Sequence, residues 1–431
     1  MLKQDSIEKI FSTARAKGLY CGELYLENTV TESIQFLGKQ HKTLISEASG
    51  ANLSCESPTG VHLFSVSDVA PEAIMEALGS PDETSVQSKT ELPPVQSGSF
   101  KRERLISLAR KLESLSPQFS FDYIQTRRNF AIVNSEGSIT QSLDENVQFL
   151  YRVQKDSNQY RKSDFQTSID AFWKNSFNEQ DLLNISKERM DTYSLWPLPM
   201  GEVPVLLSHH CLSKILFHIL KSFEADNLII QQSFLSFLEE SLPLSFSLVE
   251  SPNKSTMDQE GEFTKTLSLF AAGEFKEFAT NKRIAASLSL PKSGHGRRMN
   301  YKHAPQISLF SSRLVPNENL WMNLSGLQRA IFVEDLEILE YDPKSTASKI
   351  QVPHSKLVHH GDFGEKLVSW EWEISLLEIL KNLKQFSKDS VLHGFGNRKG
   401  KSTLPIEITC PDALIEGLPL PGSVPQEYYW E

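Results

Sequence analysis

The stretch WPLPMGEVPVLL (196–207), followed at once by CLSKILFHILKSFEAD (211–226), decides how the chain divides. Pro197, Pro199 and Pro204 fall within nine residues and preclude a regular helix there. VPVLL beyond them reads as a buried strand. The next stretch then changes period. Ile215, Leu216, Ile219, Leu220 and Phe223 form one apolar stripe at helical spacing, with Cys211, His218, Glu224 and Asp226 on the same segment. A boundary is therefore expected at about 196, with a strand and an amphipathic helix opening the second half.

Upstream, Ser6 caps a helix whose stripe is Ile7, Ile10, Phe11 and Ala14. Short alternating segments follow: GELYLEN (22–28), ESIQFL (32–37), KTLISEA (42–48), ANLSCES (51–57) and GVHLFSVS (60–67). A helix is expected at 70–79 and a flexible loop at about 80–100, where Ser, Pro and Thr replace any hydrophobic period. A helix at 102–115 and strands at 121–126, 129–134 and 146–154 repeat the pattern. Strands arriving in runs favour an α+β fold. The expectation is an N-terminal α/β domain with an antiparallel sheet (1–195), then a β-rich C-terminal domain (196–431) with short strands over roughly 262–350.

Composition narrows the function. Hydrophobic content of 39% and charged content of 23% are those of a soluble globular protein. A net charge of -10 argues against a general nucleic-acid binder and against attraction to an anionic membrane. MLKQDSIEKIF shows no secretory signal, and no apolar run is long enough to span a bilayer. Cys21, Cys55, Cys211 and Cys410 lack CxxC spacing, so reduced, buried thiols in a cytoplasmic protein are expected.

Several stretches resemble the TldD/PmbA family, also called the modulator-of-gyrase or TldD/TldE family. They are GELYLENTVTESIQFLGKQ, NLSCESPTGVHLFSVSD, AIVNSEGSITQSLDENVQFLYRV, PLPMGEVPVLLS (197–208), SGHGRRMNYKHAP (293–305), HGDF (360–363) and ALIEGLPLPG (413–422). The resemblance implies an α/β domain followed by a β-rich domain, assembled as a dimer, often of two unlike subunits. One subunit of such a pair carries His-Glu-x-x-x-His on the helix after the "PVVLS"-like strand. Its histidines, with a later cysteine, bind zinc, and its glutamate serves as general base for cutting unfolded or short peptides. The other subunit lacks the motif.

Here the family's Glu-Ala-Asp is kept as Glu224-Ala225-Asp226. Counting back, the ligand and base positions fall on Leu216, Phe217 and Lys221. Leu and Phe offer no lone pair, and a lysine ammonium repels a divalent ion. His209, His210, Cys211 and His218 do not rebuild a site, because His210 and His218 lie roughly 12 Å apart along a helix. Cys410 falls roughly where the resemblance places the cysteine ligand, and reads better as a buried structural thiol.

Other candidates are weaker. HGFGNRKGKS (393–402) misses the phosphate-loop spacing, since Phe395 stands where glycine is required, and reads as a flexible basic loop. By resemblance Arg297, Arg298 and Tyr301 lie beside the peptide cleft, to hold a main chain or terminus; an interdomain or dimer salt bridge is the other reading, and His295 and His303 add to either. His354, His359 and His360 are expected in a loop before Gly-Asp-Phe, where a transition-metal site is conceivable.

The resulting expectation is a non-catalytic, metal-free subunit of a peptidase pair. Its partner would be a zinc-bearing TldD-like subunit or a second copy, its ligand a peptide, and no cofactor is expected. The alternatives are an active zinc peptidase with a displaced site and a non-proteolytic binding or scaffold protein.

Overall fold

The computed structural model describes residues 4–421 apart from 38–39, 59, 80–100, 116–117, 156–157, 191–194, 200, 202, 228–241, 244–245, 253–256, 317–321 and 400–401. The loop expected at about 80–100 lies outside the described residues.

The first part of the chain forms one antiparallel sheet. Its strands are β1 (Tyr20–Leu37), β2 (Gln40–Ser57), β3 (Gly60–Val66), β4 (Gln118–Asn134), β5 (Ile139–Lys155) and β6 (Asn158–Gln166), in the order β3-β2-β1-β4-β5-β6. The separate short strands expected from the alternation are thus halves of long ones. β1 pairs with both β2 and β4 along almost its whole length, so the hydrogen-bond ladder carries it through the polar residues Asn28, Thr29 and Thr31. Gly50 likewise interrupts nothing.

One face of this sheet is covered by helices. Leu24 and Leu26 of β1 lie under α1 (Gln4–Ala16) and α2 (Pro71–Ala77). Ile34 and Phe36 of the same strand lie under α3 (Arg102–Leu115). Leu105, Leu108 and Leu112 of α3 are buried there against Phe119, Phe121 and Tyr123 of β4, beside Phe172 and Trp173 from the turn after α4 (Ile169–Ala171). α5 (Glu179–Met190) completes the cover through Leu182.

The second part is built on a larger mixed sheet. It contains β7 (Val205–Leu207), β8 (Leu248–Glu250), β9 (Leu267–Ala271), β10 (Glu274–Phe275), β13 (Ser311–Leu314), β14 (Arg329–Tyr341), β15 (Ala347–His359), β16 (Asp362–Lys366), β17 (Trp370–Ser375), β18 (Leu383–Lys399) and β19 (Ser402–Ile415); β11 (Gly296–Arg297) and β12 (Gln306–Ile307) pair apart from it. β7 lies between β14, to which it runs parallel, and β19, to which it runs antiparallel. Helices α6 (His209–Leu220), α7 (Lys282–Leu288) and α8 (Leu376–Lys381) complete it. The whole is a mixed α+β, strand-rich fold. No helix among the described residues is long and apolar enough to cross a membrane.

Two sequence expectations are corrected. Cys21 and Cys55 are not free thiols: they stand opposite one another in the β1–β2 register and are joined as a disulfide. Only the hairpin register, invisible in CxxC spacing, brings them together; Cys211 and Cys410 remain free and buried. HGFGNRK is strand, not loop. A Cβ on Gly394 would strike the carbonyl oxygen of Phe165, and one on Gly396 would lie 2.8 Å from its ring. These glycines allow β6 to pass across β18 rather than cradle a phosphate.

Helices cover one face of the N-terminal sheet, and the chain's second part packs against the other. Tyr25, Phe130 and Ile132 bury Tyr301 there, and the Tyr301 hydroxyl donates to Ser67 Oγ at 3.1 Å. A Cβ at Gly50 would collide with the Tyr301 ring. Gly50→Ala is therefore expected to lower stability by about 1–3 kcal/mol, read as a shifted denaturation midpoint, whereas Gly22→Ala, with nothing near its Cβ, is expected to cost less.

Candidate functional site

Helix α6 starts two residues before the expected 211. Ser208 fixes that start: its Oγ accepts from Cys211 N at 3.2 Å and donates to Glu334 O at 3.1 Å. The helix ends at Leu220, passes through a 3₁₀ turn (Lys221–Phe223), and Glu224 is already extended. Its apolar face, Cys211, Leu212, Ile215, Leu216, Ile219 and Leu220, is buried against the mixed sheet.

The three positions that the resemblance assigns to zinc chemistry are filled otherwise. Leu216 is wholly inside the core. Phe217 stacks on Phe395 of β18, with ring centroids 4.9 Å apart. Lys221 lays its Nζ 4.3 Å from the Phe217 ring centroid. Glu224, fully buried, meets Lys399 Nζ 2.5 Å from its Oε2 and accepts from Asn397 Nδ2 at 3.0 Å. Lys399 also lies 3.5 Å from Asp226. Burial works against charge on Lys399, yet Glu224 and Asp226 hold its pKa up, so it stands as an ammonium. A divalent ion here would meet an aromatic ring, a core leucine and two lysines. The donor set does not fit zinc.

Cys410 lies at the N-terminal end of α6, before these positions. Its thiol donates to His209 O at 3.1 Å, at the opposite end of α6. Lys221 is twelve residues on from His209, roughly 18 Å along a helix. Burial pushes the Cys410 thiol well above its ordinary range, with Asp412 adding to the effect.

A cluster unseen in the sequence sits beside Cys410. His209 Nδ1 and His393 Nε2 are 2.7 Å apart, and the His210 ring centroid is 5.3 Å from that of His393. Burial pushes His393 down to about 2, with His210 and His209 reinforcing it, and also lowers His209 and His210. The cluster is therefore neutral. Lys214 Nζ donates to Asp335 Oδ1 at 2.7 Å alongside. Among the described residues no group of three or more His, Cys, Asp or Glu is arranged to hold a metal ion. His354 and His359 lie on β15 and His360 in the turn after it, so the loop expected there is strand.

Arg297 and Arg298 are buried, 2% and 0% exposed. Arg297 Nη1 donates to Leu309 O at 2.9 Å and Pro405 O at 2.6 Å, with its guanidinium 4.4 Å from the Phe310 ring centroid. Arg298 pairs with Glu23 of β1, donates to Asn52 Oδ1 of β2 at 3.1 Å and to His303 O at 3.2 Å, and lies 4.7 Å from the Tyr25 ring centroid. Arg298 and Tyr301 thus join the two parts of the chain. Arg297 also lines a cavity of about 190 Å³ beside Asp144 and Gln259.

Two outcomes test this site. Lys399→Met leaves the buried Glu224 without a counter-charge and is expected to cost about 3–5 kcal/mol; Lys399→Met with Glu224→Gln recovers most of it, measured by chemical denaturation. His218 packs edge-on to Tyr341, and burial, aided by Lys221, pushes it down to about 4. A depressed imidazole contributes stability above its unfolded value near 6.5, lost as pH falls toward 4. His218→Phe is expected to abolish about 2 kcal/mol of the destabilisation seen between pH 7 and pH 5, read as a shallower fall in Tm.

Comparison with known proteins bears on the fold and the family. Three solved structures share the fold over nearly their whole lengths. TldE from Thermococcus kodakarensis superposes with a TM-score of 0.73 at 14% identity, covering 96% of this chain and 99% of that one. A proposed modulator of DNA gyrase from Thermotoga maritima gives 0.68 at 15%, covering 96% and 98%. Another from Bacteroides thetaiotaomicron gives 0.67 at 12%, again covering 96% and 98%. No curated protein matches the sequence. Residues 200–422, just over half the chain and including β7, α6 and the polar cluster around Glu224, match the PmbA/TldA metallopeptidase C-terminal domain, and the chain belongs to the PmbA/TldD metallopeptidase family.

Proposed function

We propose that this chain is the metal-free, non-catalytic member of a peptidase pair. It dimerises with a related zinc-bearing subunit, or with itself, and shapes the path along which unfolded or short peptides are held. The observation that carries this reading is the occupation of α6: Leu216 in the core, Phe217 stacked on Phe395, and Lys221 over Phe217. The two retained carboxylates of that stretch, Glu224 and Asp226, are both paired with Lys399. A hydrolytic site needs an ion to polarise the amide and a free base to activate water. This stretch offers neither. In this reading Arg298 and Tyr301 brace the wall of the peptide path, with Arg297 beside them.

The test is direct. The purified chain is expected to carry no stoichiometric zinc, to leave unfolded casein intact, and to co-purify with a His-Glu-x-x-x-His subunit from its own proteome. Cleavage should appear only in the pair. Zinc at one equivalent in the isolated chain, or chelator-sensitive cleavage lost in Cys410→Ala, would establish a displaced active site instead.

A further inference from the structure

We propose that the cleft between the N-terminal sheet and helix α6 binds the carboxylate end of a peptide. This deepens the reading of the chain as a peptide-handling subunit and rests on it. The cleft holds about 360 Å³ and is walled on one side by β4, β5 and β6 and on the other by α6, β14 and β18. That volume suits two or three residues of an extended chain.

The register across the sheet marks this cleft as a site. Ser120 of β4 faces Arg152 of β5, and Arg152 faces Arg161 of β6. Two guanidinium groups are thus set opposite one another on one face of an antiparallel pair, an arrangement that weakens a sheet. Arg152 Nη2 donates to the neutral Gln154 at 2.9 Å. Lys162 follows Arg161, and neither takes part in an ion pair among the described residues. Across the cleft stand Lys214 and the uncharged imidazole of His210. Four basic side chains therefore line a cavity with two carboxylates, Asp122 and Glu337, one of the four, Lys214, being paired with Asp335 behind it, in a chain whose net charge is -10. Such a concentration of positive charge does not follow from composition.

The chemistry it fits is an oxyanion. Paired guanidinium forks grip a carboxylate in two parallel hydrogen bonds each. Leu150 and Phe395 line the same cavity and offer apolar surface to a terminal side chain. A peptide's C-terminal residue satisfies both features at once, while inorganic phosphate satisfies only the first.

The test uses the full chain alone, with a fluorescein-labelled hexapeptide ending in leucine, as free acid and as C-terminal amide, followed by fluorescence anisotropy. The free acid is expected to bind at least about tenfold more tightly than the amide, a difference of one charge-assisted contact. Arg152→Gln with Arg161→Gln is expected to remove that preference while the variant keeps a cooperative unfolding transition, because both side chains are exposed. Equal binding of acid and amide, no binding of either, or an undiminished preference in the double variant overturns the proposal. Inorganic phosphate binding more tightly than the free acid overturns it in favour of a phosphate site. Because no partner subunit or metal enters the measurement, its outcome is separate from the zinc and co-purification tests.

Discussion

The guanidinium of Arg298 has no contact with water, and that constraint organises the molecule. A buried cation persists only when its hydrogen-bond capacity is filled by well-placed acceptors. Here Glu23 and Asn52 come from the first sheet, while the carbonyl oxygens of Gln259 and His303 come from the second part of the chain. The acceptors meet around one side chain only if the two sheets are already in register. Tyr301 seats its ring on Gly50 three residues later, and Arg128 of β4 returns the contact by donating to the carbonyl oxygens of Arg298 and Met299 at 2.9 Å. The junction is polar, buried and filled from both sides.

Helix α6 shows how the same backbone can serve a different charge pattern. The strand β7, the Ser208 cap and the apolar face make the helix whatever occupies its other side. Leu216 belongs to that buried face, while Phe217 stands beside it against Phe395, with Lys221 over the Phe217 ring. In this chain the carboxylate of Glu224 keeps a positive neighbour, supplied by the side chain of Lys399 rather than by an ion. The ammonium gives a single charge and hydrogen bonds but no Lewis acidity. The ammonium thus balances the buried carboxylate without offering the polarising power of a metal ion.

Much of this was legible in the residues. The stripe Ile7, Ile10, Phe11, Ala14 and the helix Arg102–Leu115 follow from period alone, as does the core face of α6. The strands were found but cut short, because a central strand paired on both sides tolerates polar residues that break an alternation count. That Leu216, Phe217 and Lys221 offer no zinc ligand follows from their side chains alone, once the resemblance assigns those positions. What could not be read was long-range pairing. Cys21 and Cys55 are joined across a hairpin, His209 meets His393 from 184 residues away, and Lys399 meets Glu224 from a segment that looked like a loop. Each depends on strand register, which leaves no local mark.

The crossing of β6 over β18 has a mechanical side. At Gly394 the two backbones touch without an intervening side chain, and Thr167, just past β6, is clamped to Glu407 of β19 through both its amide and its hydroxyl. Three residues beyond Gly394 comes Asn397, and two beyond that Lys399, both on Glu224. One hairpin, β18 with β19, therefore carries both the crossing with the first sheet, where a glycine leaves no side chain between the backbones, and the partners of Glu224 at the far end of the helix.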